Sequence, residues 1–325
     1  MSDGRVNAPK GDSRLHQLRQ WFDAGEPDPD APRAMDDADR VDWGRIVPFA
    51  LMHLVCLFPF YVGVSTTAIA VCVGLYLVRM FAITGFYHRY FAHRSFKTSR
   101  AAQFAFALLG ASAVQRGPIW WAAHHRHHHA FSDKPQDTHS PVQDGFVWAH
   151  MGWFLSKRHF HPDLRRVRDL LQYPELRWLD RFDILVPFAL ALTLLLVGMA
   201  LERFAPSLGT TGGQLLVWGF FVSTVLCYHG TYTINSLCHG WGSRRYPTKD
   251  NSRNNALLAL ITLGEGWHNN HHHYPSAVRQ GFYWWEFDIT YYLLRGLAAL
   301  GVIWDLNTVP ARMRDVRDVR ERTPA

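Results

Sequence analysis

Cysteine is scarce in this chain, and the scarcity removes several functions at once. Only Cys56, Cys72, Cys227 and Cys238 occur in 325 residues, with no paired spacing. A disulfide framework, a CxxC redox site and a cysteine-held iron–sulfur cluster are therefore excluded. The HExxH pattern is absent, so a zincin reading has no support. The net charge is +7, yet no nucleic-acid-binding motif accompanies it. Such a charge suits an anionic membrane face or an acidic partner instead. The first forty residues lack the apolar stretch of a signal peptide. Residues 1–42 are polar and rich in Pro, Asp and Arg, and are expected to form a disordered or loosely attached arm. Residues 307–325 are expected to form a charged, exposed tail.

What the chain does have is long hydrocarbon. Four segments, about 46–64, 66–86, 184–201 and 213–234, are apolar and long enough to span a bilayer. The first two are almost contiguous and the last two are joined by a short link, which predicts two helical hairpins within one domain, 43–306. An all-α integral membrane fold follows, with the polar blocks forming a helical cap. Lys and Arg concentrate in the block after the second span, while the short hairpin links hold only Arg203. The positive-inside tendency then places both large polar blocks and both termini in the cytosol. Arg79 falls inside an apolar run and is expected to snorkel to the interface. Two aromatic stretches, Gly145–Leu155 and Gly281–Trp304, are expected to lie along the membrane surface as amphipathic helices, with Trp284 and Trp285 at headgroup level.

Histidine is abundant, with 19 residues. Three clusters stand out: His88 with His93; His125, His128 and His129; and His268, His271 and His272. Spacing i, i+3, i+4 gathers three imidazoles into one arc of a helix. His88 and His93, five apart, would diverge by about 140° on an α-helix, so they can meet only if that helix bends or ends. His239 is a further candidate, with Asn235 one turn before it. Neutral imidazole suits iron, zinc, copper or nickel, and nine such rings are too many for one ion and suitable for two. His124, His127 and His273 point elsewhere on their helices, and His16, His53, His150, His159 and His161 read as isolated polar or core residues. His229 is expected to bond locally. Asp133, Asp137 and Glu265 are placed to hold the outer nitrogens of ligand rings.

At "HRYFAH" (88–93), "HRHHH" (125–129), "NSLCH" (235–239) and "GEGWHNNHH" (264–272) the sequence resembles the membrane-bound fatty acid desaturases, in particular the acyl-CoA delta-9 (stearoyl-CoA) type. The resemblance implies two iron ions held by His88, His93, His125, His128, His129, His239, His268, His271 and His272, with Asn235 holding a water. It implies that dioxygen and two electrons serve to remove one hydrogen from each of two adjacent methylenes, leaving a cis double bond. Trp121 and Thr231 then look like walls of a bent acyl tunnel, and Lys157 and Arg158 like contacts for an acyl-CoA headgroup. "HPD" at 161–163 is not the HPGG of a haem-binding module, so a separate ferredoxin- or cytochrome-like donor is expected. Alternatives are action on phospholipid- or carrier-bound chains, a lipid or alkane hydroxylase with the same site, and a His-rich metal transporter.

Overall fold

In the computed structural model, which describes residues 19–25 and 42–315, the long apolar runs are helices. Four of them are long and apolar enough to cross a membrane: Trp43–Val62, Thr66–Ala92, Leu185–Phe204 and Gly212–Ser236. The first is broken after Val55 and resumes at Pro59, whose missing N–H suits the start of a new turn. Ser65 opens the second by accepting from the Ala68 amide at 3.1 Å. The second span runs past the expected end at Phe86, because His88 and Arg89 are buried among protein groups rather than released to water. From Ala82 to Ala92 it winds as a π-helix, and the fourth span does so over Leu215–Val222.

The fourth span is the hub, packing against the other three. Helices Arg100–Ala111 and Pro118–Phe131 pack on the wide-wound end of the second span. Phe86, Tyr87, Phe91, Phe106 and Ile119 form the centre of that contact. Strand is confined, among the described residues, to Lys97–Thr98 paired antiparallel with Ile303–Trp304 and to isolated bridges.

Several expectations need correction. Arg79 does not snorkel; it is fully buried and donates to the Leu75, Ser112 and Gly219 carbonyls and to Ser223 and Thr224. Most of the expected arm, residues 1–42, lies outside the described residues, but 19–25 are docked. Trp21 donates to the Gly44 carbonyl at 2.7 Å, and Asp23 pairs with Arg181 at 2.8 Å. Part of the expected tail is also tied down, since the Arg314 carbonyl accepts from Tyr246 and Tyr283; residues 316–325 lie outside the described residues. Neither aromatic stretch is one continuous helix. Within 145–155, short π and 3₁₀ turns bury Ala149, His150 and Trp153, while Phe146 and Val147 stay exposed. Within 281–304, only Ile289–Ala299 is helical, and Trp284 and Trp285 stand exposed in the turn before it.

Candidate metal centre

The wide winding of the second span answers the angular problem of its two histidines. A π-helix bonds residue i to i+5, and the His93 amide donates to the His88 carbonyl at 3.1 Å. Residues five apart therefore stack on one face instead of diverging. Helix Pro118–Phe131 presents His125, His128 and His129 one turn apart, and the short helix His268–His273 presents its own triplet. His239 arrives from the turn that follows the fourth span.

These rings close into two groups. His88, His93, His125, His129 and His271 form one, and His128, His239, His268 and His272 the other. Within each group the donor nitrogens lie within 4.8 Å of one another. Neighbouring Nε2 atoms stand close: His93 and His125 at 2.8 Å, His129 and His271 at 2.9 Å, His125 and His129 at 3.0 Å, His88 and His271 at 3.1 Å. In the second group His239 and His268 stand 3.1 Å apart. Two nitrogens bound at right angles to one ion, each about 2.1 Å from it, would stand about 3 Å apart. Five such donors exceed a tetrahedral set, so the first group fits an ion of higher coordination number better than a structural zinc.

Carboxylates hold the backs of the rings. His128 Nδ1 meets Asp137 at 3.0 Å, His239 Nδ1 meets Asp133 at 2.9 Å, and His88 Nδ1 contacts Glu265. A fourth pair, His272 Nδ1 with Asp250 at 2.7 Å, was not foreseen. Each contact fixes the tautomer and aims Nε2 inward. His272 Nε2 is buried with no hydrogen-bond partner, as a nitrogen reserved for a ligand would be. His139 was also missed; it stacks on His128 and joins His128 and Asp137 in a third close group.

The electrostatics keep the lone pairs free. Burial, followed by repulsion from neighbouring rings, holds His93, His125, His129, His268 and His271 well below the ordinary histidine range. Burial also lowers His272, to about 4, although Asp250 pulls the other way. His128 is the exception: burial opposes its charged form, but Asp137, with Asp133 and Asp250 behind it, raises the value. Burial works against the Asp137 and Asp250 carboxylates too, yet their histidine partners keep both below the usual range.

A cavity of about 530 Å³ runs beside the first group, within the size range of small-molecule sites. Trp121, Thr231 and Asn235 line it, together with His124, His125 and His139. Gln115 donates to the Thr231 hydroxyl at 3.0 Å, which fixes that wall. Lys157 and Arg158 do not line it; they stand exposed in a 3₁₀ turn, while Arg45 and Arg116 do line it. His127 reaches the Gln136 carbonyl, and His273 stacks on Tyr246, both outside the two groups. His229 does not bond locally. It bridges His53 at 3.1 Å and His150 at 3.0 Å, so none of these three is isolated.

Comparison with known proteins follows the same lines. A fatty acid desaturase family model matches residues 65–304. The chain is 38% identical over 273 residues to a protein named palmitoyl-monogalactosyldiacylglycerol delta-7 desaturase, chloroplastic, of Arabidopsis thaliana, covering 82% of this chain and 69% of that one. It is 35% identical to an acyl-CoA C20 Delta5-desaturase of Anemone leveillei, covering 81% and 80%. It is 33% identical to an sn-2 palmitoyl-lipid 9-desaturase of a Nostoc species, covering 82% and 90%.

Proposed function

The chain belongs to the fatty acid desaturase family, and from that premise we propose that it introduces a cis double bond into long-chain acyl substrates with a di-iron centre. The observation that carries this reading is the convergence of nine imidazoles into two groups, four of them backed by carboxylates. One iron would be held by His88, His93, His125, His129 and His271. The other would be held by His128, His239, His268 and His272, with Asn235 nearby to hold a water. Bound there, the irons supply the redox chemistry that dioxygen needs.

The protein's own residues do the rest. Asp133, Asp137, Asp250 and Glu265 keep the ligand rings oriented and electron-rich. Trp121, Thr231 and their neighbours exclude water and position one pair of methylenes, which nothing chemical distinguishes from the next pair. The balance is one dioxygen, two electrons, two protons and two substrate hydrogens, giving one carbon–carbon double bond and two waters. The electrons come from a separate ferredoxin- or cytochrome-like protein docking on the basic face. The bond falls at the ninth carbon, the spans form two hairpins, and the centre and both termini face the cytosol. The relatives' names divide between acyl-CoA and acyl-lipid substrates. The acyl-CoA expectation comes from the motif resemblance, and its headgroup candidates, Lys157 and Arg158, stand outside the cavity.

Expression in a cell lacking its own desaturase tests the reading. Gas chromatography of fatty-acid methyl esters should show new cis monounsaturated chains, and His128→Ala or His271→Ala should abolish them. Saturated chains throughout, from folded and iron-loaded protein with a competent donor, would end the proposal; a hydroxylated product would move it to the hydroxylase alternative.

A further inference from the structure

The first span leaves one flank bare. Its α-helical part, Trp43–Val55, has no buried residue, and it packs on the fourth span and on the turn 153–155. The His53–His229–His150 chain ties it down on that side only. Among the described residues, no comparable packing joins it to the third span. The cavity passes through this gap, with Pro48, Phe49 and Met52 on one lip and Pro187, Phe188 and Ala191 on the other. Phe188 lines the cavity and is nevertheless 65% exposed, so a single ring faces both the cavity and the bilayer.

The charges at the polar end of the gap fit the same picture. Arg45 pairs with Asp42 at 3.3 Å and Arg116 with Asp183 at 2.8 Å, all four lining the cavity. Both guanidiniums sit against the Phe160 ring, at 3.8 and 4.7 Å. Two cations met by two carboxylates offer hydrogen bonds to ester and headgroup oxygens, but no surplus positive charge for the several phosphates of coenzyme A.

We propose that the cavity fills sideways from the bilayer, between the first and third spans, and that the substrate is an acyl chain still esterified to a membrane glycerolipid. The headgroup stays level with Arg45 and Arg116. A chain taking this path exchanges lipid for apolar protein and never meets water. The inference rests on the desaturase reading and supplies its carrier.

The test uses purified, iron-loaded protein in nanodiscs. The lipid comes from a desaturase-lacking host fed deuterated stearate; unlabelled stearoyl-CoA is added in the aqueous phase, with NADPH, ferredoxin and its reductase. The expected result is deuterated monoenoic glycerolipid in at least tenfold excess over light monoenoic acyl-CoA. Ala191→Trp, which fills the gap, should cut the lipid product tenfold or more with iron content unchanged. A double bond confined to light acyl-CoA overturns the inference. If neither pool reacts with a ferredoxin-type or a cytochrome-type donor system, the desaturase reading fails, and entry is decided separately. A benzophenone amino acid replacing Phe220, a buried residue on the cavity wall, should capture a deuterated glycerolipid chain on illumination without any electron donor. Capture of acyl-CoA alone, or of no lipid, overturns lateral entry.

Discussion

Asp250 illustrates how much a ring nitrogen depends on what stands behind it. Its carboxylate holds His272 Nδ1 at 2.7 Å and leaves Nε2 facing inward without a partner. Asp250→Asn keeps an acceptor but removes the charge that makes the imidazole a strong donor. Removing such outer partners typically costs about 10–100-fold in metal affinity or activity. The iron affinity of the His128, His239, His268 and His272 group, read by chelator competition, should therefore fall by about that factor while the fold, read by circular dichroism, persists. The convergence of the two HxxHH triplets was legible from helical spacing, His88, His93 and His239 joined the set through the order of the family's motifs, and Asp133, Asp137 and Glu265 stood out because they sit near these histidines in sequence. Asp250 was not, since it lies 22 residues before its partner and reaches it only through the fold. His139 was hidden for a similar reason: its closeness to His128 depends on a loop path that no periodicity reports.

Helix Pro118–Phe131 owes its position to one half-buried acid. Asp180 Oδ1 accepts from the Ile119 and Trp120 amides at 2.9 and 3.0 Å, capping the start of the helix that carries three candidate ligands. The fit is tight: a Cβ on Gly117 would stand 2.5 Å from the Asp180 Cα. Burial raises the Asp180 carboxyl to about 7, against the pull of those amides and Arg116. Unfolded, the same group ionises near 3.8. Between these values the folded state keeps a proton that the unfolded chain has lost, so stability falls as pH rises through this window. Asp180→Asn retains an acceptor and has no proton to lose. Its melting temperature should be flatter between pH 4 and 7 than that of the parent chain, when both are scanned in one detergent. The helix itself was foreseeable from its histidine spacing, whereas its cap, some 60 residues downstream, was not. The i→i+5 winding of Ala82–Ala92 was likewise illegible, although the awkward five-residue spacing of His88 and His93 demanded some departure from α-geometry.

Across the whole molecule, Arg79 joins what the spans alone would leave loosely packed. Its guanidinium reaches Ser112 at the end of helix Arg100–Ala111, and Gly219, Ser223 and Thr224 of the fourth span. All of these acceptors are uncharged. Hydropathy suggested a surface-seeking arginine, because it registers an arginine in an apolar run without registering the acceptors the fold brings around it. Arg79→Met keeps the bulk but strands those buried acceptors, at a cost of about 1–3 kcal/mol. A lower melting temperature with unchanged iron content at permissive temperature is the expected outcome. The donor set is scattered just as widely: it begins at His88, near the end of the second span, and is complete only at His272. A nascent chain thus carries six of the nine rings, and lacks the other three until its last quarter is being made and has folded back. Any ion these rings take must therefore load late, because the two groups exist only once spans far apart in sequence have been brought together.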